Sequence, residues 1–572
     1  MTQSGVISSS STPIFKDQPA AIVRRSGNYK PTLWDAHFFQ SLQVIYTEES
    51  YGKRINELKE DVRRLLEKES ENPLVKLEQI NDLSRLGISY HFEDQIKTIL
   101  NLTFNNNNAL WKKDNLYATA LHFKLLRQYG FSHVSSEIFN AFKNEQKEFK
   151  ESLSKDVKGM VCLYEASFYS FRGEPILDEA RDFTTKHLKQ YLMTRQSQFT
   201  RVDHHDDDDH DLVKLVKHAL DLPLHWRLPR LEARWFIDMY AERNYDMNPT
   251  FLDFAKLDYN FVQSAYQKEL KYISRWWSGS RLTERLPFAR QMALKYEAEF
   301  GFVRTVMTKI GLLLTLMDDI YDVYGTLDEL QLFLEAIERW NINELDQLPD
   351  YMKILFVAFY NNVNEISYYV LKENGIHTIK YLKKALGDLC KCYMEEAKWF
   401  HSGHIPSLEE FIENGWNSIT IPLCLIYHYC LITTSITEQD MEHLLQYPTI
   451  LRVSGTVFRF IDDLGTSSVS SSSTDELERG DNPSSIQCYM REKGVSENES
   501  REHIWNLISE GWKEINEVKA SNSPYSQVFI ESTIDFVRGA MEMYHKGDGF
   551  GTNQDRYLKT KVVNMFFDPI PI

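Results

Sequence analysis

The sequence predicts an all-α protein, and three observations carry that prediction. Apolar residues recur at helical spacing from about residue 35 to the end of the chain. No run of alternating apolar and polar residues marks a set of strands, and no Gly-rich phosphate loop interrupts the helical pattern. The helices also carry start and stop signals. Pro73 suits a first helical position, where a missing N–H costs nothing. Leu74, Leu77, Ile80 and Leu83 then fall on one broad face, and Gly87, after Leu86, is free to take the left-handed cap. Residues 116–131 repeat the pattern and break at Gly130.

At 572 residues the chain is too long for a single hydrophobic core, so two or more domains are expected. Residues 222–230, with Pro223 and Pro229, are the expected passage between them. Three segments break the helical pattern: the acidic, His-bearing run 203–211, the Ser-rich run 467–474, and 547–551, which reads G-D-G-F-G. Residues 1–23 are Ser-rich and irregular, with Lys16 and Asp17 as the charges besides the terminus, and read as a short disordered leader.

A net charge of −17 argues against nucleic acid as a partner, because phosphates attract basic surfaces. It leaves open a phosphorylated small molecule held through metal ions. Six cysteines in so long a chain do not make a disulfide framework, and a reducing compartment fits. The apolar run 310–317 is far too short to span a bilayer and ends in acids.

That ending is the strongest chemical signal. Asp318, Asp319 and Asp322 read D-D-x-x-D, and four-residue spacing places Asp318 and Asp322 on one helical face. Carboxylates crowded at the end of a buried helix repel unless a cation lies between them. Mg²⁺ suits such a site, since it takes oxygen ligands from one or two carboxylates plus substrate phosphate. A second cluster sits on another helical pattern, with Asp462 and Thr466 four apart and Arg459 one turn upstream. A carboxylate, a hydroxyl and an arginine converging there suit Mg²⁺ and diphosphate oxygens together, although an intrahelical Arg–Asp pair explains part of the pattern equally well.

The two clusters resemble the D-D-x-x-D and (N/D)-D-x-x-(S/T)-x-x-x-E motifs of plant class I terpene synthases. Arg24-Arg25, followed after eight residues by Trp34, is similar to the tandem-arginine signature of one plant subfamily. Residues 227–235, 274–277, 479–481 and 547–551 resemble further landmarks of that family. The resemblance implies two helical domains: a non-catalytic one over residues 24–230, and a catalytic one over 231–572 with the class I terpenoid synthase fold. It implies a monomeric lyase that ionises a prenyl diphosphate with Mg²⁺ or Mn²⁺, three ions to a site. Asp318, Asp319 and Asp322 would form the first metal site; Asp462, Thr466 and Glu476 would form the second. Arg290 and Arg459 would bind diphosphate, and Arg24 and Arg25 would lie against the catalytic domain. Chain-elongating prenyltransferases usually carry two D-D-x-x-D copies, and Asp462-Asp463-x-x-Thr466 is not a second one.

The chain departs from the family at two places. After Arg290 stand Gln291 and Met292 where the family has Asp-Arg, and about nine residues are missing before Phe300. The family's Glu, four residues after the Thr, is here Ser470, and Glu476 is its counterpart only if about six residues are inserted. These departures make an impaired, terpene-synthase-like protein an alternative. Asp206 to Asp209 contain the D-x-D-D of protonation-type cyclases, but the run reads as a solvated loop, and His204, His205 and His210 beside it as surface residues. A leader so unlike a transit peptide predicts a cytoplasmic enzyme that makes a sesquiterpene from farnesyl diphosphate. The tandem-arginine subfamily points instead to geranyl diphosphate, a monoterpene and the plastid.

Overall fold

The computed structural model describes residues 24, 34–70, 72–105, 111–112, 114–198, 207–243, 247–286, 301–467, 483–547 and 556–572. Among these residues the architecture is helical throughout, with one isolated antiparallel bridge between Lys143 and Phe149. The all-α expectation therefore holds.

The principal helices of the first half are α1 (Glu48–Glu67), α2 (Pro73–Arg85), α3 (Leu116–Gln128), α4 (Val157–Ser167), α5 (Pro175–Gln198) and α6 (Asp207–Asp221). The signals at α2 act as read. Asn72 accepts from the N–H of Leu74, Pro73 opens the first turn, and Leu77, Ile80 and Leu83 are wholly buried. Gly87 takes φ +73°, and the N–H of Ile88 reaches back to the Leu83 carbonyl at 3.1 Å, closing the last turn. The acidic run is partly a correction. Asp203 to Asp206 lie outside the described residues, but from Asp207 onward the run is helix and not loop.

The segment 222–230, with its two prolines, is mostly buried. A short turn, Leu224–Trp226, leads into α7 (Pro229–Ala241). Trp226 stacks on Trp512 at 5.5 Å, and His225 shares a 2.7 Å hydrogen bond with the Asn516 side chain. Asn516 donates to the carbonyls of Phe168 and Ser170, and Arg538 donates to that of His225. Burial, together with nearby Arg538, drives the His225 pKa well below its ordinary value, so the imidazole is neutral.

The second half contains α8 (Pro249–Ser280), α9 (Gly301–Asp319), α10 (Leu327–Arg339), α11 (Asp350–Asn374), α12 (Ile379–Ser402), α13 (Leu408–Ser418), α14 (Ile421–Ile432), α15 (Thr449–Thr466), α16 (Ser485–Lys493), α17 (Glu497–Ala520), α18 (Gln527–Tyr544) and α19 (Arg556–Phe566). α15 packs against α13, α17 and α18. Its approach to α18 requires a glycine, since a Cβ at Gly465 would lie 2.7 Å from the Tyr544 Cβ.

Candidate active site

The D-D-x-x-D segment straddles a change of helix. α9 buries Ile310, Leu313 and Met317 completely, and its winding then widens into a π-turn over Ile320–Tyr324. The N–H of Gly325 closes that turn on the Ile320 carbonyl at 2.8 Å. Such turns recur at functional sites. Asp318 is half-buried and Asp322 exposed, whereas Asp319, about 100° further round, is only 1% exposed.

Tyr393 on α12 faces this segment, with its ring 5.3 Å from that of Tyr321. Its hydroxyl is buried and its pKa is pushed well above the ordinary tyrosine value. Burial is the main cause; the negative charges of Asp318, Asp322 and Glu396 add to it, and Arg459 opposes it. Tyr393 thus stands where the first acidic cluster, α12 and α15 meet.

On α15, Arg459 Nη1 lies 3.5 Å from Asp462 and 3.8 Å from Asp463, and Nη2 donates to Ser418 Oγ at 3.2 Å. Burial works against the guanidinium charge, but Asp463, Glu396, Asp462 and Asp318 outweigh it and the net shift of its pKa is upward. Asp318 therefore acts on an arginine of the other cluster: the fold brings the two acidic motifs, 144 residues apart in sequence, to one site. Asp463 accepts the first N–H of α16, from Ser485, at 2.9 Å. Thr466 is buried and its hydroxyl donates back to the Asp462 carbonyl at 3.1 Å. α15 ends there, where Arg501 donates to the carbonyls of Leu464 and Ser467. Glu476, Ser470 and the rest of the serine run lie outside the described residues, as do Arg290 and the altered segment after it.

Arg24 arrives from the other end of the chain. Its two terminal nitrogens each donate to Glu329 at 2.9 Å, and Nη1 also donates to the Tyr324 carbonyl at 3.0 Å, just beyond Asp322. The guanidinium lies over the rings of Tyr324 and Tyr351. Glu329 closes a capping box with Thr326 at the start of α10. Burial would raise its carboxyl, but Arg24, the Thr326 N–H and Tyr351 hold it down at about 2. Trp34 packs on Phe567, near the C-terminus. Arg25 lies outside the described residues.

The donors gathered here are carboxylate and hydroxyl oxygens, the chemistry of a hard divalent cation. Among the described residues no group of three or more His, Cys, Asp or Glu side chains is placed to hold a metal ion. Glu329, Tyr393, Glu396 and Ser418 were not singled out from the sequence. For Tyr393 and Glu396 the available signal was their three-residue spacing on one helix.

The fold is all-helical, and Asp318 of the first acidic motif acts electrostatically on Arg459, which pairs with the acids of the second. The chain belongs to the plant terpene synthase family. Residues 33–220 match "Terpene synthase, N-terminal domain" and residues 279–514 match "Terpene synthase family, metal binding domain". It is 70% identical to "Myrcene synthase TPS5FN" of Cannabis sativa, over 100% of both chains. That alignment spans 587 positions against 572 residues here, so the relative has residues with no counterpart in this chain. It is 61% identical to "Probable monoterpene synthase MTS1, chloroplastic" of Humulus lupulus, over 96% of this chain and 95% of the relative. Among solved structures, limonene synthase with 2-fluorolinalyl diphosphate superposes at a TM-score of 0.89, with 42% identity over 96% of this chain and 100% of the other. Isoprene synthase from grey poplar, with three Mg²⁺ ions and dimethylallyl-S-thiolodiphosphate, gives 0.83 and 37% over 94% and 99%.

The protein is accordingly a carbon–oxygen lyase of prenyl diphosphates with the class I terpenoid synthase fold and a divalent metal cofactor. The expected sesquiterpene from farnesyl diphosphate is overturned, since these relatives are named for monoterpenes. The cytoplasmic expectation has no support from relatives named chloroplastic. Both expectations rested on the composition of residues 1–23, which says nothing about a pocket. Among the described residues no helix is long and apolar enough to cross a membrane.

Proposed function

We propose that the chain converts geranyl diphosphate to a monoterpene hydrocarbon, with acyclic myrcene the first product to look for, in a Mg²⁺-dependent ionisation. The observation that carries this reading is Arg459, held between Asp462, Asp463 and Ser418 within the field of Asp318. The names of the relatives supply the ten-carbon substrate. Asp318, Asp319 and Asp322 serve the first metal site, while Asp462, Thr466 and Glu476 serve the second, for three ions in all, with Mn²⁺ as a substitute. Bound Mg²⁺ would neutralise charge on the departing diphosphate. Arg459 and Arg290 donate to the diphosphate oxygens and stabilise the same charge. Residues 231–572 form the catalytic unit and 24–230 a helical partner, in a monomer that works in the plastid.

The test is product analysis by gas chromatography after incubation with geranyl diphosphate and Mg²⁺. A monoterpene should appear, vanish in EDTA, and fall by more than about 100-fold in Asp318→Ala without loss of helical signal. Undiminished product from Asp318→Ala, or in EDTA, would remove the metal mechanism.

A further inference from the structure

We propose that Glu396 and Ser418 are positioning residues: a hydrogen-bond relay from α12 through the end of α13 fixes the Arg459 guanidinium on α15 for diphosphate. The proposal rests on the reading of this site as one that binds diphosphate.

The carboxylates of its own helix do not fix this arginine. Their distances, 3.5 Å to Asp462 and 3.8 Å to Asp463, are those of ion pairs and beyond the usual hydrogen-bond length, so they attract the charge without setting the plane of the group. The orienting contact is Nη2 to Ser418 Oγ at 3.2 Å. A guanidinium only donates and a carboxylate only accepts, so the hydroxyl between them has a forced polarity. Ser418 gives its proton to Glu396 Oε1 at 2.6 Å and turns its lone pairs toward Arg459. Glu396 Oε1 is held in turn by Asn414 Nδ2 at 3.1 Å, and the same nitrogen donates to the Cys392 carbonyl at 3.1 Å.

The fold pins the middle of this relay. Ser418 is 2% exposed and is the last residue of α13. Two residues on, Thr420 takes φ +69°, an unusual conformation for a β-branched residue, and separates α13 from α14. The relay also joins the two halves of the site, because Glu396 is one turn from Tyr393 on α12 while Arg459 is one turn from Asp462 on α15. At the end of the relay, Arg459 Nε is a buried donor without a hydrogen-bond partner among the described residues. A buried donor of this kind calls for an acceptor, and a diphosphate oxygen is the acceptor the site is built to receive.

The experiment compares Ser418→Thr with Ser418→Val, which share a shape and differ in the hydroxyl. Glu396→Gln and Ser418→Ala are measured alongside. Binding of inorganic diphosphate with Mg²⁺ is read by calorimetry, KM and kcat are read with geranyl diphosphate, and each variant is checked by thermal melting. Ser418→Val should bind diphosphate about tenfold more weakly than Ser418→Thr at a matching melting temperature, the scale of one lost charge-assisted hydrogen bond. Adding Glu396→Gln to Ser418→Val should weaken binding no further, because both act through one path. If neither β-branched variant folds, Ser418→Ala against wild type carries the same tenfold expectation. Equal diphosphate affinity with and without the hydroxyl would overturn the relay while leaving the site reading intact, as would losses that multiply in the double variant. A wild-type protein that does not bind diphosphate would overturn both.

Discussion

A single methyl group at Gly465 should displace the helix that carries the second acidic cluster. Placed on the backbone, that Cβ would lie 2.7 Å from the Tyr544 Cβ, 2.9 Å from its Cδ1 and 3.1 Å from its carbonyl oxygen. Rotating the Tyr544 ring relieves only one of the three, because the others belong to the backbone and its first carbon. Carbon atoms rest at about 3.5–4.0 Å, so α15 and α18 must part locally by roughly 0.8–1.3 Å. Overpacking of this kind costs about 1–3 kcal/mol. Gly465 stands between Asp463 and Thr466, so the shift passes directly into the candidate metal ligands. A displacement of about 1 Å at reacting groups lowers turnover by up to ~100-fold. The assay is kcat/KM for geranyl diphosphate against Mg²⁺ concentration, with thermal melts in EDTA. Gly465→Ala should melt lower, turn over about 10- to 100-fold more slowly and need more Mg²⁺ to reach half-maximal rate. Gly539 on α18 is the control. No atom lies within 4 Å of its hypothetical Cβ, so Gly539→Ala should stabilise by about 0.5–1 kcal/mol through helix propensity. Wild-type melting and Mg²⁺ dependence in Gly465→Ala would refute the reasoning.

Two further outcomes follow from charged pairs. Arg24→Ala removes both 2.9 Å contacts to Glu329 and should lower kcat/KM by the equivalent of about 1–3 kcal/mol, with Glu329→Gln acting alike. The Glu329 carboxyl is held down at about 2, so the stability it contributes is complete above the unfolded value of about 4.3 and is lost only as pH falls toward 2. The Arg24→Ala deficit should therefore be flat between pH 6 and 8, and a deficit that changes across that range would be inconsistent with this pairing. Glu165 behaves oppositely: burial, only partly offset by Lys124 and the Leu224 N–H, pushes its carboxyl up to about 7. Ionising it costs stability, which is full below about 4.3 and declines as pH rises to 7. Glu165→Gln should melt close to wild type at pH 4 and be more stable at pH 8 by up to ~3 kcal/mol. Equal melting at both pH values would mean that the carboxylate is ionised at no cost.

The helical class and the first element boundaries were legible because local chemistry writes them. Pro73 and Gly87 act within a turn of where they stand, and the apolar face of α2 needs no knowledge of its partner. Asp462 and Arg459 stand out in the sequence because both sit on α15, and Asp318 and Asp322 because of their four-residue spacing, although the chain passes from α9 into a π-turn between them. Tyr393, Glu396 and Ser418 were not, since each acquires meaning only when α12, α13 and α15 pack together. The π-turn over Ile320–Tyr324 was also hidden; it depends on how the buried end of α9 is held. Prolines at 223 and 229 flank the short turn Leu224–Trp226, but nothing local foretold that His225 and Trp226 would be buried against α17 and α18. Substrate length is the least local property of all, because a cavity sets it and not a motif. An expectation drawn from the leader therefore missed it.

The central claim is that this site ionises geranyl diphosphate with divalent metal. It is tested most directly by steady-state kinetics on the purified chain with geranyl and farnesyl diphosphates and Mg²⁺, product being quantified by gas chromatography. The account predicts a kcat/KM at least about tenfold higher for geranyl diphosphate, a difference of roughly 1.4 kcal/mol in transition-state stabilisation, and no turnover of either substrate in EDTA. A preference for farnesyl diphosphate, or turnover that survives removal of the metal, would contradict it.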